Sequence, residues 1–578
     1  RLTREASPRK SFYAPFSLIP SSHQRHLSLQ SVRLPSIMTS YVAAAISPML
    51  LVSLKLIVSL GLLTTSSARL LLNSHQEGLG RDIGHQATCA SLKNQQTHFT
   101  VELSVGTPPQ TLDVVADTGS DSIIVNSCAC AASGHCGMEN KCFNGGKGLS
   151  DTFSLTAGGY DQRSHAELLE SVVITFGSGK IQAVIASDVV KVGQVSAKMH
   201  DGLLLMVNQA LKFSGPFEGI LGLGIPKKKP LQLVQSQQGM QAARDIAGEA
   251  VHGIYHSKGF LQTAGVSRFS MCFNYDKDGV LRFGGPEAQV RLGSVGHAHW
   301  GLDFRGILVN PSRTASPTML ATTFSKALSS AHSLRSSFCD AASMAPGQLT
   351  PCGAIPDSGT TLMMGPKSHI IELFSLICDA WPRCQEEAQK NSELPKHKVF
   401  QLVLLRCEDW LPDGLDEMPT LSFQMVGSNG KQQTLKMGPN GYITMIVKEK
   451  VHYMQKNLMG VFPLELLEHT GKMTKVCTPS FGSAKYHTKL NGPLWILGTP
   501  LFYEYQVGYD LTSSPPSLSF SDSPCGACED GEIKDAAPNA TAFLTKSRSI
   551  GRRSSARRMP RELSGPPRVP DLDTTLPL

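Results

Sequence analysis

Two short stretches of this chain place an aspartate, a hydroxyl residue and a glycine in a row behind apolar residues. Val114-Val-Ala-Asp-Thr-Gly-Ser120 recurs, altered, as Ala354-Ile-Pro-Asp-Ser-Gly-Thr-Thr361, about 240 residues later. A lone Asp-Thr-Gly says little, because Asp and Gly are ordinary turn residues. Here each copy is followed by its own second signal, Ile220-Leu-Gly-Leu-Gly224 and Trp495-Ile-Leu-Gly498. A repeated pair of signals implies a duplicated lobe with a site between the lobes. Two carboxylates brought together cannot both ionise at low cost, so one keeps a proton. The ionised member can then act as base on a water while the protonated one hydrogen-bonds a carbonyl. Such a pair hydrolyses an amide with no covalent intermediate, metal or cofactor. On this reading Asp117 and Asp357 are the catalytic pair. Gly119 and Gly359 permit the tight turn and close approach of the two loops. Thr118 and Ser358 carry hydroxyls that can lock one loop to the other, and Ser120 and Thr360 can hold the outer carboxylate oxygens.

The elements that must position these residues read as β. Short β-rich runs, Phe99 to Val105, Leu112 to Ala116 and Ser122 to Val125, are each bounded by Gly, Pro or Asn. The 52 glycines and 35 prolines favour a turn-rich all-β protein. Helical stretches are few; Pro230 to Gln241 and Ser368 to Trp381 are the clearest. The β pattern begins at Thr97 and stops after Phe520.

The net charge of +8 is concentrated at the two ends. From Lys546 to Arg568 there are eight basic residues against Glu562 alone, and residues 1–37 are basic and Ser-rich. Without those ends the middle is close to neutral, so solvated tails are expected and a nucleic-acid partner is not. Met38 followed by the apolar stretch 42–63, with Ser66-Ser-Ala68 behind it, reads as a secretory signal over 38–68. If the stretch stays uncleaved it is an anchor of membrane-spanning length, although Lys55 near its middle opposes a stable span. Residues 69–96 read as a short pro-segment or linker. All 14 cysteines follow the apolar stretch, which suits an oxidising compartment and several disulfides. Cys128, Cys130, Cys136 and Cys142 match no common structural zinc spacing, so two local disulfides are expected there rather than a metal. Asn539-Ala-Thr541 is a glycosylation sequon.

With these signals in order, the chain resembles the pepsin-like aspartic protease family from about Thr97 to Ser521. The match includes Phe99 to Gln110, Phe217 to Gly224, Phe283-Gly-Gly285, and Trp495 to Gly498 leading to Val507-Gly-Tyr-Asp510. The resemblance implies two mostly β lobes, 97–287 and 288–522, with a substrate cleft between them and one Asp from each. A monomer acting on polypeptides is expected, secreted or in a vacuole-like compartment; the alternative, from the apolar 42–63 segment itself, is anchoring in an endomembrane. Residues 523–578 are expected to be a disordered basic tail. The family's flap hairpin maps to Ile174 to Gly179, with Phe176, Gly177, Ser178 and Gly179 at its tip. Phe176 stands where the family usually has Tyr, and Ile124 where a Trp often pairs with that Tyr. Thr499 replaces the usual Asp after Ile-Leu-Gly. Cys339 and Cys352 resemble the family's small bridge, Cys407 and Cys477 its late bridge, and Cys378 and Cys384 are spaced to pair locally. Cys89, Cys272, Cys525 and Cys528 are unassigned, with a local Cys525–Cys528 bridge favoured over redox work. The cysteines after the first motif and Asp121 are nearer the nepenthesin-type and protist branch than pepsin itself. The alternative in another class is a catalytically silent pepsin-fold protein that binds peptides.

Overall fold

In a computed structural model of the protein, the described residues are 87–136, 141–146, 148–161, 166–176, 179–211, 218–226, 231–236, 251–255, 257–312, 333–458, 462–534 and 560–563. All lie in one compact unit, Gly78–Leu578. The basic N-terminal stretch, the 38–68 signal, Asn539, Gly177 and Ser178 fall outside the described residues.

The fold is all-β and bilobal, of pepsin-like architecture. Its largest sheet has seventeen strands and is mostly N-terminal, and a nine-stranded sheet carries the second motif. Each motif strand occupies the same setting in its own sheet. The strand Gln110–Asp117 runs parallel to Gly219–Gly222, with Val115 opposite Ile220 and Asp117 opposite Gly222. That echo strand also pairs antiparallel with Ile123–Asn126. In the second sheet Gly353–Pro356 runs parallel to Gly492–Leu497, which pairs antiparallel with Met363–Gly365. The paired motifs and paired Leu-Gly echoes are thus one three-strand unit built twice. Parallel central strands are covered on both faces and so are apolar throughout. Gly353–Pro356 is fully buried along its length, and in Gln110–Asp117 Leu112 and Val114 to Ala116 are buried.

Chain ends close the frame differently from the expectation. Thr88–Asn94, placed in a linker by its polar surroundings, is a strand held between Gly279–Phe283 and Phe99–Val105. Its Cys89, Ala90 and Leu92 are buried. Late in the chain Gln506–Asp510 and Ser517–Ser521 return to the first sheet, pairing with Arg268–Cys272 and Leu292–Gly293. The sheets therefore do not divide at residue 288. The tail too is ordered in part. Ala527–Glu529 and Glu532–Lys534 form a small hairpin, and Arg561–Leu563 adds a parallel strand beside Ile443–Leu458.

Two helical expectations fare differently. Lys367–Ala380 is a helix that buries Ile370, Leu373, Phe374 and Ile377 at helical spacing. Residues 231–236, expected as part of a helix, are instead a strand paired with Val251–Tyr255 and with residues 169–172. The run Leu231-Gln-Leu-Val-Gln-Ser236 suits period two, and its partner strands decide between the two readings. Two further helices, Pro382–Lys390 and Lys396–Leu405, had no expectation attached.

Seven disulfides use all fourteen cysteines. Cys128–Cys142 and Cys130–Cys136 are local, Cys339–Cys352 and Cys407–Cys477 pair as the resemblance implies, and Cys378–Cys384 pairs as its spacing suggests. The tail pair is a correction. Cys525 bonds Cys272 and Cys528 bonds Cys89, so neighbours in sequence separately clamp the tail onto the N-terminal sheet. Spacing alone favoured a local bridge, but strands Thr88–Asn94 and Arg268–Cys272 present their own cysteines first.

Candidate active site

Each motif turns sharply at the end of its strand, and the turn binds its own aspartate in the same way. The Gly119 amide donates to Asp117 Oδ1 at 2.9 Å, and the Gly359 amide to Asp357 Oδ1 at 2.8 Å. Ser120 Oγ donates to Asp117 Oδ2 and Thr360 Oγ1 to Asp357 Oδ2, both at 2.6 Å. Every carboxylate oxygen thus has a fixed donor, and the two sets are equivalent.

The loops are locked to each other across the lobes. Thr118 N–H donates to Ser358 Oγ and Ser358 N–H donates to Thr118 Oγ1, both at 3.0 Å. The hydroxyls reach one strand further back: Thr118 Oγ1 donates to the Pro356 carbonyl at 3.1 Å, and Ser358 Oγ to that of Ala116 at 2.7 Å. Thr118 and Ser358 are fully buried. The glycines are required by proximity. A Cβ on Gly119 would lie 2.9 Å from Asp357 Cγ, and one on Gly359 would lie 2.8 Å from Asp117 Cγ. Each glycine is the surface against which the opposite carboxyl packs.

The pair is electrostatically uneven. Asp357 is 2% exposed, while Asp117 is half-buried. Burial first, and then the neighbouring charge of Asp117, push the Asp357 carboxyl up to about 8, against the opposing hydrogen bonds from Thr360 and Gly359. The proton of a close carboxyl pair belongs on the less solvated member.

Sequence reasoning missed three supporting residues. Tyr509 Oη donates to Thr118 Oγ1 at 3.4 Å, and burial drives its phenol well above the usual range. Trp300 Nε1 donates to the Leu223 carbonyl at 3.0 Å, and the Leu223 amide donates to the Asp117 carbonyl at 2.7 Å. Thr499, noticed only as a departure, has a definite place. Its amide donates to Thr360 O at 2.8 Å and its hydroxyl to Thr361 O at 2.9 Å, so it props the loop that follows Asp357. A hydroxyl can donate to a carbonyl, whereas an ionised carboxylate can only accept.

The hairpin expected as a flap is formed by Ala166–Phe176 and Gly179–Val192, with Phe176 opposite Gly179. Ile124 is buried in one cluster with Val172 and Ile181, and Ile174 packs against that cluster. The hairpin does not stand alone. Val195–Leu211 lines one edge up to Gly179, and Leu231–Ser236 pairs with residues 169–172 on the other. Among the described residues, one group of three metal-ligating side chains converges, Cys339, Cys352 and His369. Two of its sulfurs are spent in a disulfide. No helix among the described residues is long and apolar enough to cross a membrane.

A paired Asp-hydroxyl-Gly turn in a two-lobed β frame defines a class, and comparison with known proteins agrees with it. The model of the eukaryotic aspartyl protease family matches residues 98–519, and the chain belongs to that family. It is similar to Pepsin II-1 of Oryctolagus cuniculus, 24% identical over 326 residues, which are 53% of this chain and 66% of that protein. To an aspartic proteinase of Oryza sativa subsp. japonica it is 27% identical over 292 residues, 49% of this chain and 46% of the other. Vacuolar protease A of Arthroderma otae is 30% identical over 150 residues, 26% of this chain and 33% of that one. The matches therefore span between a third and two thirds of these relatives' lengths.

Proposed function

We propose that this chain is an aspartic endopeptidase, hydrolysing peptide bonds with Asp117 and Asp357 as a dyad. One observation carries the reading. Two carboxyls, each with both oxygens bound by its own loop, face across glycines that leave no room for a side chain between them. The proton sits on buried Asp357, and ionised Asp117 is the base. A water between them loses a proton to Asp117 as its oxygen attacks the scissile carbonyl, while Asp357 hydrogen-bonds the carbonyl oxygen. The tetrahedral product then collapses, Asp117 passing its proton to the leaving amine. Ser120 and Thr360 keep both outer oxygens oriented through this cycle. The strands Ala166–Phe176 and Gly179–Val192 close over an extended polypeptide, seated through Ile174 on the buried apolar cluster that contains Ile124.

Seven disulfides support an oxidising compartment, the secretory pathway or a vacuole. The test is cleavage of a broad peptide mixture across pH, with Asp117→Ala and pepstatin as controls. Pepstatin-sensitive cutting that disappears in the variant is expected. A wild type that cuts nothing at any pH would sink the reading and leave a silent peptide-binding protein in its place.

A further inference from the structure

The strand Arg561–Leu563 lies outside the frame that carries the aspartates, yet it is docked on that frame. It runs parallel to Ile443–Leu458, with Arg561 opposite Thr444 and Leu563 opposite Ile446. Pro560 and Leu563 are buried, and Glu562 pairs with Lys475 at 2.6 Å. This is strand addition to a sheet edge, where the main chain supplies adhesion and side chains supply selection. The selecting side chain is Arg561. Its guanidinium lies over the Tyr503 ring, 4.1 Å from the centroid, and Nη2 donates to the Gly441 carbonyl at 3.4 Å. Tyr503 is 9% exposed, and a cation held on a ring so shielded from water binds more strongly than one at an open surface.

Arg561 thereby joins two short helices, Pro439–Tyr442 and Thr499–Glu504, that are already in close contact. A Cβ on Gly441 would lie 3.0 Å from Glu504 Oε1. The second helix has Tyr503 near its last turn and Thr499 at its start. Thr499 bonds the carbonyls of Thr360 and Thr361, and Thr360 holds Asp357 Oδ2. A continuous set of fixed contacts therefore runs from Arg561 to one candidate catalytic oxygen through a helix of six residues.

We propose that Arg561 is a positioning residue for Asp357: docking of Pro560–Leu563 braces the helix Thr499–Glu504, and through Thr499 that helix sets the loop after the second aspartate. The proposal rests on the endopeptidase reading. Three register pairs hold a separate peptide only weakly, so covalent attachment to the disulfide-clamped hairpin Ala527–Lys534 keeps the local concentration of the strand high.

The test compares wild type, Arg561→Ala, Arg561→Lys and a chain ended at Ala556. The shortened chain is assayed alone, with a synthetic peptide of residues 557–566, and with that peptide carrying Ala for Arg561. In Arg561→Ala and the shortened chain, kcat on a pepstatin-sensitive peptide falls about tenfold while KM changes by less than about twofold, the mark of a misplaced catalytic group. Arg561→Lys keeps most of the rate. The wild-type peptide restores the shortened chain at millimolar concentration, and the Ala peptide does not. Hydrogen exchange, read on the same samples, is faster at Thr499–Glu504 in the shortened chain and slows again with the peptide. Unchanged kcat in both Arg561→Ala and the shortened chain overturns the proposal, as does a loss confined to thermal stability. A wild type with no peptidase activity overturns the endopeptidase reading. In that event, exchange at Thr499–Glu504 unaffected by shortening overturns the brace separately.

Discussion

Ser358→Ala removes one atom from the lock between the two motifs, and its cost follows from the bonds that atom makes. Ser358 Oγ accepts from the Thr118 amide at 3.0 Å and donates to the Ala116 carbonyl at 2.7 Å, in a site with no exposed surface. Alanine leaves both backbone groups buried without that partner. An unsatisfied buried donor or acceptor costs about 1–3 kcal/mol, so the two together cost about 2–6 kcal/mol. Against a typical total of about 5–15 kcal/mol that is a large fraction. The loss is read from the urea midpoint with disulfides intact, provided the slope is unchanged. Activity should fall as well, because the Thr118 loop is released beside Asp117. A displacement of about 1 Å at a reacting group can cost about a hundredfold, and a fall in kcat of about ten- to a hundredfold is expected. Thr118→Ala should behave alike, losing its bonds to Pro356 O and the Ser358 amide. The double variant should cost less than the sum of the singles by about 0.5 kcal/mol or more, since the loops are already parted. A Ser358→Ala protein that loses under about 0.5 kcal/mol and keeps its kcat would refute the argument that this lock holds the carboxyls in place.

Further predictions follow from the same geometry. Asp357 loses its proton only as pH rises through about 8, so kcat/KM of the free enzyme should decline on that alkaline limb, as a pH–rate profile will show. The folded pKa lies above the unfolded one of about 3.9, so this group's favourable term is complete below about 3.9 and lost as pH rises toward about 8. Asp357→Asn should flatten that part of the stability curve. His369 acts oppositely. Burial against Phe338 and Trp495 lowers it to about 4, with Trp495 Nε1 donating to its Nδ1 at 3.3 Å. Its contribution is complete above about 6.5 and lost as pH falls through about 4; for a ring still partly exposed that is about 1–2 kcal/mol, removed from the acid limb in His369→Phe melts. Replacing Cys89 and Cys528 together by Ser should cost about 2–4 kcal/mol and expose 525–534 to limited proteolysis, whereas intact resistance would show that the Cys272–Cys525 bridge holds the tail alone. Gly119→Ala should lower kcat by about a hundredfold or more, because the new methyl meets the Asp357 carboxyl at 2.9 Å; full activity in a peptide assay would contradict the close facing of the pair.

Sequence alone supplied the expectation of a carboxyl pair and the duplication behind it. Asp117 and Asp357 were legible because a turn that binds its own carboxylate uses a short local word, Asp-hydroxyl-Gly-hydroxyl, and the word occurs twice behind apolar strands. The all-β class was legible for the same reason: alternation and turn residues act over a few positions. What tertiary structure decided lies at long range. Thr88–Asn94 reads as linker until Phe99–Val105 and Gly279–Phe283 flank it. Leu231–Ser236 is a strand because partner strands claim its backbone. Cys525 and Cys528, three positions apart in the chain, separate toward Cys272 and Cys89 because two different strands of the N-terminal sheet each offer a sulfur. Thr499, a bare anomaly in the sequence, becomes the prop of the second loop once Thr360 and Thr361 are set beside it. The unequal burial of the two carboxyls was equally hidden. Two nearly identical words give two identical sets of donors, and only the depth at which the lobes bury Asp357 makes the carboxyls different.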